Sequence, residues 1–159
     1  LPLTLGVLVV YMLVIPFYFR EPYENRDVLI VYNLMLFGII GMLLGATPIR
    51  GDDLSSGLQK WLRSGIIAVA ILAVLISLYA LSATTFRTAE GGLTLNRLAI
   101  LGWNIINIGV LLWLLYRQFK DGGKKWVASL QSVFSLATNV YMVWGLVLLI
   151  AVPLLSFVI

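Results

Sequence analysis

Five stretches of the chain contain no Lys, Arg, Asp or Glu: residues 1–19, 28–49, 64–86, 98–116 and 126–159. A helix rises about 1.5 Å per residue and needs about 20 residues to cross roughly 30 Å of bilayer hydrocarbon, so each stretch is long enough to span. Lipid leaves helices as the natural solution for such runs, because every backbone N–H and C=O must be paired within the segment. All eighteen charged side chains, eleven basic and seven acidic, fall outside the five stretches. The sequence is 61% hydrophobic and 11% charged, against about 45–50% and about 25% in soluble domains, and its mean hydropathy is +1.01.

The expectation is an all-α, polytopic transmembrane helical bundle, a single domain over 1–159. About five spans are expected, near 1–19, 28–48, 64–85, 97–116 and 137–158. The last stretch is too long for one crossing, so its start, with Ser129, Gln131, Ser132 and Ser135, reads as interfacial or packed against protein. The chain opens at Leu1 without a Met or a basic leader, which reads as a processed chain or a piece of a longer polytopic protein.

Sidedness follows from the basic residues between spans. The first and third links carry Arg20, Arg26, Arg87 and Arg97, whereas the second and fourth carry seven: Arg50, Lys60, Arg63, Arg117, Lys120, Lys124 and Lys125. The positive-inside rule places the richer links in the cytoplasm, with the N-terminus inside and the C-terminus outside. The second link, DDLSSGLQKWLR, suits a short helix in the headgroup plane near 52–63. Asp52 or Asp53 would cap it, and Leu54, Leu58, Trp61 and Leu62 would share a face. Trp61 and Trp126 follow Lys60 and Lys125 and are expected as interfacial anchors.

One passage is stated twice. ENRDVLIVYNLMLFG aligns without a gap on LNRLAILGWNIINIG, setting Asn25 over Asn96, Arg26 over Arg97, Asn33 over Asn104 and Gly38 over Gly109. Both follow a Phe-Arg pair, Phe19-Arg20 and Phe86-Arg87. The pattern reads as a tandem two-helix pseudo-repeat used twice in the same orientation. Arg26 and Asn33 are two helical turns apart, as are Arg97 and Asn104, and Asn107 lies near the same face. A carboxamide at that depth needs a partner, which is either a neighbouring helix or a polar path. Arginines at a helix N-terminus oppose its dipole, so phosphates or nearby Glu21, Glu24 and Glu90 are the expected reason for them. Gly38, Gly41 and Gly45 are expected to pack against another helix, Gly41 and Gly45 being in G-x-x-x-G spacing, while Ala68, Ala70 and Ala73 thin the third span.

At LYALSATTFRTAEGGLTLNRLAILGWNIINIGVLLWLLYR the chain resembles an uncharacterised family of bacterial polytopic membrane proteins, the domain of unknown function numbered four-one-five-three. The resemblance rests on Leu78-Tyr79-Ala80, Arg87 and Gly92-Leu93-Thr94-Leu95-Asn96-Arg97 and covers about a quarter of the chain. Where the family often has a tyrosine before the glycine, this sequence has Gly91. The resemblance implies the C-terminal part of a many-spanned bacterial inner-membrane protein, and it implies no activity.

Without Cys or His, disulfides, thiolate and imidazole metal sites, and Ser-His or Cys-His nucleophile pairs are excluded. No span carries the carboxylate or lysine of an ion-coupled carrier, and no Gly-rich phosphate loop or catalytic carboxylate pair is present. No enzyme activity, cofactor or metal is expected, and the net charge of +4 suits anionic lipid rather than nucleic acid. The expected role is structural: a helical bundle in contact with membrane lipids that packs against other membrane subunits or the remainder of a longer chain. The alternative is a permease or lipid-handling module with a polar stripe of Arg26, Asn33, Arg97, Asn104 and Asn107.

Overall fold

The computed structural model describes residues 1–45, 54–121 and 125–156. They form six helices and, among the described residues, no strand: α1 (Pro2–Val14), α2 (Glu21–Glu24), α3 (Arg26–Gly45), α4 (Ser56–Gly91), α5 (Leu95–Lys120) and α6 (Trp126–Ser156). The all-α helical bundle is therefore what the chain adopts. Four helices, α3 to α6, are long and apolar enough to cross a membrane.

The first expected span is different. Only 13 residues are helical in α1, a rise of about 20 Å. Pro16 ends the helix: it has no N–H to donate, and its ring crowds the carbonyl four residues back. The chain then turns through residues 15–20 before α2. The N-terminal segment nevertheless covers the apolar height of α4. Leu1 lies against Gly65, and the Tyr23 carbonyl accepts from Arg87 Nη1 at 3.2 Å, 22 residues or about 33 Å further along α4. The turn's Phe19 carbonyl is taken by the Tyr79 hydroxyl at 2.8 Å. Phe19, Tyr23, Tyr32, Tyr79 and Phe86 close around it with ring centroids 5.3–6.0 Å apart.

Helix α4 is the axis of the bundle. Leu and Ala carry high helix propensity, and Ser55 caps the start, its Oγ accepting from Leu58 N at 3.4 Å. The helix runs unbroken for 36 residues. The expected interfacial helix is thus the first two turns of α4 rather than a separate element, because nothing between Ser56 and Ser64 breaks the helix. Asp52 and Asp53 lie outside the described residues. Ala70, Ala73, Ser77, Ala80 and Ala83 are all fully buried, a spine of small side chains that lets neighbouring backbones approach closely. Around it α1 runs parallel to α4, whereas α3 and α5 run antiparallel. The contacts that fix this are Leu1 at Gly65, Thr4 Oγ1 to Met42 Sδ at 2.9 Å, and Arg63 Nη2 to the Gln118 carbonyl at 2.7 Å.

The expected glycine packing is not found among the described residues. A Cβ added at Gly38, Gly41 or Gly45 meets nothing within 4 Å, and all three are exposed. Close approach is used instead at Gly102, where the Trp144 indole occupies the place a Cβ would take. Trp126 also departs from expectation. It is 2% exposed, buried under the end of α5, where Gln118 Nε2 donates to its carbonyl at 2.8 Å. Ser129 Oγ donates to Asp121 at 2.6 Å, and Asp121 pairs with Arg117 at 3.1 Å. This network turns the chain back from α5 to α6 and draws Trp126 inwards. Trp61 is 53% exposed.

Candidate functional site

The turn from α4 into α5 sets the site. Gly92 has φ +77°, a backbone state that side chains disfavour, and three residues later α5 begins. Thr94 is its cap, with Oγ1 accepting from Arg97 N at 3.3 Å. Asn96, two residues on, lines a cleft. Because α3 starts at Arg26 beside α4's end, α3 and α5 enter the bundle side by side and in parallel.

This arrangement brings one aligned pair of the repeated segments into contact. Asn104 Nδ2 donates to Asn33 Oδ1 at 2.8 Å, so each carboxamide meets its own counterpart in the alignment. Asn33 Nδ2 donates in turn to the Leu29 carbonyl at 2.8 Å. Three residues on, Asn107 Oδ1 accepts from the Tyr141 hydroxyl of α6 at 2.8 Å. Trp103 is stacked between Phe37 of α3 and Tyr141 of α6, at 4.5 and 4.8 Å. The expected stripe is therefore divided. Asn104 and Asn107, each 1% exposed, join α3, α5 and α6.

The other members of the stripe come together at the helix ends. Arg26, Asn33 and Arg97 line a cleft of about 250 Å³ between α3, α4 and α5. Arg87, Thr94 and Asn96 complete its polar wall, and no carboxylate lines it. None of these arginines forms an ion pair; among the described residues the one salt bridge is Arg117–Asp121. Arg97 Nη1 donates to the Gly92 carbonyl at 2.6 Å, lying across bare Gly91. It meets the negative end of α4 and so has a local reason to be there. Arg87 gives one hydrogen bond to Tyr23, and the Arg26 side chain makes none among the described residues. A guanidinium has five N–H donors, so most of the donor capacity here is unused.

Two further spaces adjoin the cleft. Towards the helix ends, Glu24 and Glu90 join Arg87 and Arg97 around a wider mouth of about 560 Å³. Down the bundle, Ile30, Leu34, Phe37 and Trp103 line an apolar groove of about 530 Å³ that shares Asn33 and Asn96 with the cleft. Arg87, Thr84 and Asn96 were absent from the stripe expected from sequence. The repeated Phe-Arg pair was the signal for Arg87, since Phe86-Arg87 brings it to the same end as Arg26.

No family model matches the chain, and neither does any curated protein or solved structure.

Proposed function

We propose that the chain is a non-enzymatic membrane bundle whose role is assembly: it packs against a further membrane helix, from another subunit or from the remainder of a longer chain. One observation carries this. On α6, Gln131, Ser132, Ser135, Thr138 and Asn139 all face outwards. Asn139 is 13 residues or about 20 Å from the start of α6, beside Tyr141 and level with the middle of α5. No hydrogen-bond partner for it is found among the described residues. A carboxamide facing hydrocarbon is costly unless another helix supplies a partner. The exposed Gly38, Gly41 and Gly45 face on α3 supports the same reading, because small residues favour close helix contact.

The charge distribution supports a sided, multi-pass arrangement. Among the described residues, five basic and one acidic lie at the end holding Lys120, and four of each at the end holding Arg97. The whole net charge therefore sits at one end, which favours that end facing the cytoplasm. We place the protein in a cytoplasmic membrane with Leu1 inside, the proposal that also fits the family resemblance.

The test is Asn139→Leu, followed by native electrophoresis or cross-linking in mild detergent. An interhelical hydrogen bond in a membrane averages about 0.6 kcal/mol and reaches about 1.7, so association should weaken about 3- to 20-fold. A wild-type chain that migrates as a lone monomer in lipid nanodiscs and carries no copurifying helix rejects the proposal. The cleft favours a second reading, lipid handling, with Arg26, Asn33 and Arg97 on the path.

A further inference from the structure

We infer that the cleft bounded by Arg26, Arg87 and Arg97 binds the phosphate of an amphiphile whose apolar tail lies in the groove of Ile30, Leu34, Phe37 and Trp103. This goes beyond the assembly reading and stands or falls without it.

Three observations converge. First, three arginines from two antiparallel helices and the start of α5 face one 250 Å³ space with no carboxylate among its lining residues. Glu24 and Glu90 are close enough to line the outer mouth, yet neither forms an ion pair with an arginine, since the one described salt bridge is elsewhere. The fixed charge in the cleft is thus left for a ligand to neutralise. Guanidinium groups match phosphate oxygens with paired donors.

Second, the starts of α3 and α5 both open here. Asn25 and Thr94 each take one first-turn N–H, and the two helix dipoles add positive potential of the same sign. Arg97 is accounted for by the end of α4 that it meets, whereas Arg26 at the start of α3 opposes that helix's dipole with no bond of its own among the described residues, as a site arranged for an anion requires.

Third, the cleft continues into the apolar groove, the two sharing Ile30, Asn33, Asn96 and Ile100. Asn33 marks the boundary, with its side chain held by Asn104 and Leu29. A small free anion would use the upper space alone. An amphiphile uses both, with polar contacts ending where Phe37 and Trp103 begin. The groove is open sideways, between α3 and α5, to the surroundings that supply such a ligand.

The experiment is lipid binding by native mass spectrometry, with thermal stability in neutral detergent as a parallel readout. The probes are phosphatidylglycerol, phosphatidylcholine of the same chains, and glycerol 3-phosphate. Wild-type protein is expected to retain phosphatidylglycerol best, with glycerol 3-phosphate binding at least about tenfold more weakly because it lacks the tail. Arg26→Gln is the primary variant because Arg26 supports no other bond, so its fold should survive. It should weaken phosphatidylglycerol retention about tenfold or more, as loss of a charge-assisted hydrogen bond does. Leu34→Gln should weaken the lipid while leaving glycerol 3-phosphate unchanged. Lys120→Gln, at the opposite end, should change neither. Glycerol 3-phosphate bound as tightly as the lipid would overturn the tail assignment. Phosphatidylglycerol retention that is unaffected by Arg26→Gln, or equalled by phosphatidylcholine in both wild type and variant, would overturn the site.

Discussion

Replacing the two matched asparagines by leucine, singly and together, tests whether the bundle is held by their bond. Asn104 is 1% exposed and Asn33 half-buried beside the cleft, so the two single variants should differ. Asn33→Leu strands the Asn104 Nδ2 donor where water cannot reach, and an unsatisfied buried donor costs about 1–3 kcal/mol. Asn104→Leu strands Asn33 Oδ1 instead, but water entering the adjoining cleft can satisfy it. Its cost should be nearer the bond itself, about 0.6 to 1.7 kcal/mol in a membrane. The double variant has no orphan left, so it should lose less than the two singles combined, by about 1–2 kcal/mol. Reversible unfolding in mixed micelles, followed by circular dichroism against the mole fraction of a denaturing detergent, measures all four proteins. Single costs that are equal and add to the double within about 0.3 kcal/mol would show the carboxamides to be independent, and the reasoning would fail.

Gly102→Ala drives a methyl into the Trp144 ring and should cost about 1–3 kcal/mol by overpacking. Gly109→Ala, where nothing lies within 4 Å, should cost nothing and can gain from better helix propensity; equal melting temperatures for the two would refute the α5–α6 fit. Thr94→Ala removes the cap on Arg97 N and should lower stability by about 1 kcal/mol, read from the same unfolding curve. The chain has no cysteine, so Ser56→Cys and Leu93→Cys each introduce one thiol, at exposed positions on opposite ends. An impermeant reagent added outside intact cells should label Leu93→Cys alone, and labelling of both from outside would refute the sidedness.

Much of the architecture was legible because lipid makes a strong demand on sequence. The charge-free runs around residues 28–45, 64–86, 98–116 and 126–151 became α3 to α6, since a run without charges at that length satisfies its backbone best as a helix. Pro16 was also visible, but a count of charge-free residues does not register a missing N–H. The continuation of α4 back to Ser56 was hidden for the opposite reason: a charged turn ends a hydrophobic run without ending a helix. Burial was least legible. Trp126 and Trp61 both follow a lysine, yet only Trp61 faces out, because Gln118 and Asp121 pull the start of α6 beneath α5. For the site, periodicity put Arg26 and Asn33, and Arg97 and Asn104, on matching faces. It could not say that Asn104 would be spent on Asn33, nor that Arg87 would arrive from α4. Those depend on which helices become neighbours, which is a property of the folded arrangement rather than of any one face.

A carboxamide carries a donor and an acceptor at once, so a helix bearing one nearer its start than its end is complementary to a copy of itself. Asn33 and Asn104 show the outcome: matched positions of two similar passages bond to each other across α3 and α5. Orientation follows from the same fact, because only copies that thread the bilayer in one direction bring the two amides to equal height. A single such helix on two separate molecules would obey identical geometry, which makes fusion of a like-with-like pair into one polypeptide a change of connectivity rather than of chemistry.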